Sequence, residues 1–108
     1  MLANFFKKKE ILPEVFNALN NKLPDKVEVE IKEGNGNYYF VNVKNLPGCV
    51  TQARSPRELF EMVNDAIYTY FEVPEQYQPF LKMYIPPENV RQKYSMKIQS
   101  GNYVLKTA

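Results

Sequence analysis

Every second residue is apolar in residues 27–31 and again in residues 39–43. A period of two predicts β-strands that turn one face to the core and the other to solvent. In the first stretch the intervening residues are Glu28 and Glu30, and in the second they include Phe40. The pattern therefore predicts an antiparallel pair of strands, with an aromatic side chain on the face that is otherwise polar.

Residues 34–36 (Gly-Asn-Gly) separate the two stretches and predict a hairpin turn. A two-residue Asn-Gly turn would place Ile31 opposite Phe40 and mix the two faces of the sheet. A three-residue loop with Gly36 in the left-handed conformation instead pairs Ile31 with Tyr39, and it keeps the apolar residues on one face. We therefore expect the three-residue loop.

A tight turn at Pro47-Gly48 and a short strand at residues 49–52 precede the main predicted helix, which runs from residue 56 to about 71. Ser55 can cap this helix, since Pro56 suits its first position and Glu58 lies three residues after the serine, as in a capping box. The apolar face of the helix is predicted to comprise Leu59, Val63, Ala66, Ile67 and Tyr70, widened by Phe60 and Phe71. Its solvent face is predicted to comprise Arg57, Glu58, Glu61, Asn64 and Asp65.

The remaining segments give shorter elements. Residues 2–9 predict a short helix or a loosely held arm, and residues 13–21 a helix that Pro24 ends. After residue 74, recurring prolines predict a helical turn at 74–77, an extended stretch at 81–85 and a short helix at 87–93. Apolar residues alternate again at 94–98, and residues 103–106 are predicted to form a further strand.

Together these elements predict one α+β domain over residues 1–108. Its core spans about residues 27–72 and contains a three-stranded antiparallel sheet, open to extension by a C-terminal strand, with one main helix packed on one face. The helix at 13–21 precedes this core, and a proline-rich extension over residues 74–108 follows it.

Composition limits the chemistry that the chain can perform. It has no histidine, which removes the commonest general base and every histidine-containing zinc site. Cys49 is the only cysteine, so no intramolecular disulfide can form, as expected in a reducing cytoplasm. The sequence shows no signal peptide and no apolar run of the ~20 residues that a membrane span needs. We expect a cytoplasmic protein without cofactor or metal.

Few residues are candidates for catalysis. Glu28 and Glu30 share one strand face and raise the alternative of a metal-dependent nuclease, but Lys32 lies on the same face and solvated glutamates explain the pattern more simply. Cys49 is expected to be a small buried apolar residue rather than a nucleophile, because no neighbouring charge would stabilise its thiolate. The expectation is a binding protein and not an enzyme.

Five motifs resemble the HicB family of type II antitoxins. They are Tyr38-Tyr39-Phe40-Val41, Leu46-Pro47-Gly48-Cys49, Thr51-Gln52, Ser55-Pro56-Arg57-Glu58-Leu59 and Asp65-Ala66-Ile67. The residues that form the structural signature are Leu46, Pro47, Gly48, Cys49, Ser55 and Glu58. The resemblance implies a partial ribonuclease H-like fold, and a protein that binds and neutralises a HicA-type toxin that cleaves messenger RNA.

Two pairs of residues are candidates for partner contact. Tyr38 and Phe40 lie on a face that a terminal segment or a second copy of the chain should cover, and Arg54 and Arg57 flank the loop before the main helix. The alternative function is a HicB-fold adaptor that forms homo-oligomers and has no toxin partner. Residues 74–108 lack the pair of amphipathic helices of a DNA-binding domain, so we do not expect this chain alone to bind DNA.

Overall fold

The computed structural model describes residues 10–91 and 97–107. The predictions for residues 2–9 and 94–96 lie outside these ranges. The elements in chain order are α1 (Pro13–Lys22), β1 (Lys26–Glu33), β2 (Tyr39–Val43), β3 (Val50–Ala53), α2 (Pro56–Tyr70), β4 (Tyr84–Ile85), α3 (Glu88–Arg91) and β5 (Gly101–Thr107). Two 3-10 turns, Asn35–Asn37 and Glu75–Phe80, connect them.

The strands form a five-stranded antiparallel sheet in the order β3-β2-β1-β5-β4. The α+β class is confirmed, but the predicted number of three strands is wrong. β5 pairs with the free edge of β1, as expected for a C-terminal strand, and the two residues of β4 add a fifth strand outside it. A strand of two residues carries no periodic pattern, which is why the sequence predicted only an extended stretch there.

The β1–β2 hairpin has a longer loop than the sequence predicted. Ile31 lies opposite Val41 rather than Tyr39, because Glu33 and Tyr39 form the last pair before the turn. Gly36 has the expected left-handed conformation, with φ 69°. The pairing differs from the prediction by two residues, and a shift of two leaves each side chain on its original face. The division into a buried and an outer face is therefore as predicted.

Helix α2 packs across one face of the sheet and closes the core. Ser55 Oγ accepts a hydrogen bond from the Glu58 N–H at 3.1 Å, so the predicted cap is present. The side chains of the core come from alternate positions of the strands and from one side of α2. They include Val27, Val29, Ile31, Tyr39, Val41, Val43, Leu59, Val63, Ile67 and Leu105.

Asn64 was predicted on the solvent face of α2, and this is wrong. The residue is 9% exposed, because β4 lies along that side of the helix. Its side-chain amide donates to the carbonyl oxygens of Phe60 and Tyr84, each at 2.8 Å, and its Oδ1 accepts from the Tyr84 N–H at 2.6 Å. A polar side chain is stable in the interior when its donors and acceptors are satisfied in this way.

The segment that follows α2 forms hydrogen bonds and an ion pair with residues on both sides of α1. Lys82 Nζ donates to the Leu23 carbonyl at 3.1 Å and lies 2.9 Å from Asp25 Oδ1. The hydroxyl of Tyr77 accepts from the Leu12 N–H at 3.0 Å, immediately before α1. Because none of the α1 residues is buried, these contacts contribute to holding the helix in place.

The turn before β3 has the expected geometry. Gly48 has φ 83°, in the left-handed region that favours glycine. Cys49 then donates its N–H to the Leu46 carbonyl at 2.9 Å, and both side chains are buried. The predicted burial of Cys49 is confirmed, and burial raises the pKa of its thiol.

Candidate protein-binding surface

One face of the sheet is covered by α2, and the described part of the chain leaves the other face open. We call the latter the outer face. Its side chains are Glu28, Glu30, Lys32, Phe40, Asn42, Val50, Gln52, Asn102, Val104 and Lys106. Three of them are large and apolar yet exposed: Phe40 at 49%, Val50 at 65% and Val104 at 43%. Exposed apolar side chains on an otherwise polar sheet face are typical of a surface that binds another macromolecule.

A groove of about 600 Å³ lies on the outer face over β1, β2 and β3. Phe40 and Val50 supply its apolar part, and Glu30, Lys32 and Gln52 are among its polar lining residues. A mixture of apolar and polar lining residues is usual at protein–protein interfaces.

Gly34 determines where the ring of Phe40 can lie. A Cβ atom placed on Gly34 would be 2.5 Å from Cε2 of Phe40, well inside van der Waals contact. The ring therefore lies directly over the backbone of the β1–β2 loop. Phe40 also stands between Lys32 on β1 and Gln52 on β3, its partners across the sheet. The glycine lets the aromatic ring lie close to the groove surface.

The charges on and beside the outer face are of both signs. Lys44 Nζ lies 3.4 Å from Glu28 Oε1, and both side chains are more than 40% exposed. Lys97 Nζ lies 3.0 Å from Glu33 Oε2, and the hydrogen bond and charge of Glu33 raise the pKa of Lys97. Exposed pairs of this kind contribute little to stability, because water and salt screen both charges.

The four candidate contact residues do not form one cluster. Tyr38, 42% exposed, ends the loop that leads to Phe40. Arg54 is exposed and follows β3, near one end of the groove. Arg57 instead lines a different groove, between α2 and β4, together with Glu61 and Met83. Arg57 therefore does not line the surface that contains Phe40.

The sequence did not identify Val50 and Val104 as surface residues. Both occupy outward positions in strands whose inward neighbours are Thr51 and Leu105. An exposed valine within a run of mixed residues looks like a core residue until the face of its strand is known. The alternation of apolar and polar residues in β3 could have shown which side chains point outwards, but a strand of four residues is too short to establish that alternation.

Among the described residues, no group of three or more cysteine, aspartate or glutamate side chains is arranged to hold a metal ion. Within residues 10–91 and 97–107, no helix has both the length and the apolar character of a membrane-spanning segment.

The fold and the open face define an α+β protein with a helix on one side of its sheet and a candidate binding surface on the other. The chain is 48% identical over 48 residues to a UPF0150 protein of Archaeoglobus fulgidus, a match that covers 44% of this chain and 70% of that protein. It is 40% identical over 47 residues to a UPF0150 protein of Thermoplasma acidophilum, covering 44% of this chain and 68% of that protein. The chain belongs to the UPF0150 family, which is the HicB-like family. No family model and no solved structure matches it.

Proposed function

We propose that the chain is a HicB-like antitoxin that binds and neutralises a HicA-type, messenger-RNA-cleaving toxin by protein–protein contact in the cytoplasm. In this proposal the outer face is the contact surface, and the chain supplies no catalytic group, cofactor or metal. The partial ribonuclease H-like description that the sequence motifs imply belongs to the same proposal. Operator DNA is not expected to bind to this chain alone.

The observation that carries the proposal is the exposed ring of Phe40 in the lining of the groove, in a chain of the HicB-like UPF0150 family. Aromatic side chains that are half exposed in the free protein dominate the binding energy of many interfaces, because burying them removes a large apolar area from water. The absence of a side chain at Gly34 leaves room for the ring of Phe40 beside the β1–β2 loop.

The polar margin supports the same role. Glu30, Lys32 and Gln52 surround Phe40 with both charges and a neutral amide. Such a rim excludes mismatched partners, since a like charge placed opposite any of these residues is unfavourable. Glu28 is engaged with Lys44, which fits a contact surface better than the alternative of a glutamate-based nuclease.

The test begins with the genes on either side of the one that encodes this chain. We expect one of them to encode a small protein whose expression arrests growth, and co-expression of this chain to restore growth. The two proteins should then co-purify. A toxin would be confirmed if its arrest coincides with loss of full-length messenger RNA and this chain prevents that loss.

The variant Phe40→Lys locates the contact. It introduces a charge into the lining of the groove and should abolish both rescue and co-purification. Phe80→Lys is the matched control, because Phe80 is an exposed aromatic residue at 61% that does not line the groove. If both neighbouring genes are harmless, the antitoxin role is rejected and the adaptor without a toxin is favoured. If both variants rescue growth equally, the outer face is not the contact surface.

A further inference from the structure

The outer edge of β3 has backbone groups available for pairing. The Val43 N–H donates to the Cys49 carbonyl at 2.9 Å, which sets the phase of the hydrogen bonds between β2 and β3. In an antiparallel pair the residues alternate between facing the partner strand and facing away from it. Thr51 and Ala53 therefore direct their peptide groups to β2, while those of Val50 and Gln52 point away from the sheet. Within the described ranges these outward groups have no partner.

The opposite edge of the sheet is closed. The Thr107 N–H donates to the Asp25 carbonyl, so the peptide groups of Thr107 face the β1 side of β5. Tyr84 is the partner of Thr107 across β4 and β5, and its peptide groups therefore face away from β5. The side chain of Asn64 takes both of these groups. Pro86 and Pro87 follow at once and cannot donate to a further strand.

The edge of β3 also lacks the features that usually prevent strand pairing. Exposed edges are commonly protected by a lysine, a proline, a bulge or an inward-pointing charge. The four residues of β3 are Val-Thr-Gln-Ala, which include no charge and no proline. Its pairing with β2 runs without a bulge from Asn42–Val50 to Tyr39–Ala53.

We propose that the edge of β3 pairs antiparallel with the same edge of a second copy of this chain, with Thr51 on the two-fold axis. In this register the outward peptide groups of Val50 in one copy meet those of Gln52 in the other. Arg54 falls opposite Gly48, which has no side chain, so no like charges meet along the strands. The outward N–H and C=O groups of Val50 then pair with the C=O and N–H groups of Gln52 in the other copy. A two-fold contact between identical surfaces requires this kind of self-complementarity.

Helix α2 adds a second contact beside this edge. A groove of about 310 Å³ runs between β3 and α2, with Ala66, Thr69 and Tyr70 along its helical side. Tyr70 is 41% exposed, and Asp65 is the one charged residue of the lining. Four residues of strand are only about 14 Å long, too short alone for the roughly 800 Å² per partner of a stable interface. Two helices brought side by side supply the additional area.

This inference does not depend on the antitoxin role, because it concerns the purified chain alone. The first experiment measures mass by light scattering and sedimentation equilibrium over a range of concentrations. We expect a dimer. Val50→Lys should weaken dimerisation by at least about tenfold, since it places a charge at an unprotected edge. Val104→Lys is the matched control, because Val104 lies on the same face, is 43% exposed and stands on β5, between β1 and β4.

The second experiment tests the register. Residues that face each other on the axis at a non-hydrogen-bonded position have Cα atoms about 4.5 Å apart, which is within the range of roughly 4.4–6.8 Å that a disulfide needs. Thr51→Cys should therefore form a covalent dimer under mild oxidation. The wild-type chain is the control, because its Cys49 is 4% exposed and should remain reduced.

Three results would overturn the proposal. The first is a monomer at every concentration tested. The second is an equal dissociation constant of the dimer for the Val50→Lys and Val104→Lys variants, which would place the interface elsewhere. The third is a Thr51→Cys variant that forms no more covalent dimer under mild oxidation than the wild-type chain, which would exclude the proposed register.

Discussion

The side-chain amide of Asn64 pairs with the peptide groups of Tyr84 as a neighbouring strand would, accepting from its N–H at 2.6 Å and donating to its carbonyl at 2.8 Å. Tyr84 is 1% exposed, so water cannot replace these bonds. A residue in the middle of α2 thus completes the hydrogen bonding of the outermost strand. It also joins the C-terminal segment to the helix.

Replacement of Asn64 by leucine should destabilise the fold by about 2–3 kcal/mol, because it leaves two buried peptide groups of Tyr84 unsatisfied. Asn64→Asp retains the acceptor but turns a carboxylate towards the carbonyls of Phe60 and Tyr84, so it should also be strongly destabilising. Urea denaturation followed by circular dichroism measures both effects. Asp65→Ala, at the exposed neighbouring position, is the control and should change the free energy of unfolding by less than about 0.5 kcal/mol. An Asn64→Leu variant as stable as this control would contradict the role given to the amide.

Loss of the α2 cap should have a smaller effect. Ser55→Ala removes the acceptor for the Glu58 N–H, and we expect a loss of about 1 kcal/mol. Ser55→Thr retains the hydroxyl and should stay close to the wild type. The same denaturation experiment compares the two variants. Equal stability of the alanine and threonine variants would show that the cap contributes nothing measurable.

Gly34→Ala should displace the ring of Phe40 without straining the backbone. The φ angle of Gly34 is −109°, which any residue can adopt, but the new Cβ would lie 2.5 Å from the ring. We expect changed NMR signals for Phe40 and weaker binding of the toxin.

Gly36→Ala is the complementary variant. Its φ of 69° is unfavourable for alanine, and a Cβ there has no neighbour within 4 Å. It should destabilise the protein by about 1 kcal/mol and leave the Phe40 signals unchanged. Identical effects of the two variants on the Phe40 ring would contradict the proposed contact.

The fold should lose stability in alkaline solution. Burial raises the pKa of Tyr68 above its usual 10.0. It also raises that of Tyr84, with smaller contributions from the charges of Tyr68 and Asp25. Their hydroxyls donate to the carbonyls of Lys82 and Pro24, and these hydrogen bonds require the neutral form.

The unfolded chain loses the hydroxyl protons of Tyr68 and Tyr84 at lower pH than the folded chain does. The free energy of unfolding is therefore unaffected by these two groups below about pH 10 and falls above it. The slope cannot exceed about 1.4 kcal/mol per pH unit for each tyrosine. Urea denaturation between about pH 8 and 11, with tyrosinate absorbance as a second signal, measures this dependence. Tyr68→Phe should be less stable at neutral pH but should lose less stability as the pH rises. A Tyr68→Phe variant with the wild-type slope would show that Tyr68 does not contribute.

The faces of the sheet could be predicted from the sequence because a period of two survives an error of two residues in the register. The error itself arose because the loop has five residues, 34–38, and contains a 3-10 turn at Asn35–Asn37 that the Gly-Asn-Gly motif does not specify. Asn64 could not be placed correctly, since its partner Tyr84 lies 20 residues further along, in a strand too short to show a pattern.

The candidate site was predictable only in part. Phe40 could be identified because it is an aromatic residue among the polar positions of a long alternating strand. The contribution of Val50 and the separation of Arg57 from Phe40 depend on the tertiary arrangement of β3, α2 and β4. The order of strands in the sheet, which leaves β3 outermost, likewise has no local signal in the sequence.

The amide of Asn64 has a consequence for the proposed dimer. A sheet with two free edges can add molecules at both and grow into fibres, whereas in the described residues Asn64 already satisfies the peptide groups of Tyr84 at one edge. We therefore expect two molecules paired through β3 to add no third, so that a side chain on a helix would stop polymerisation.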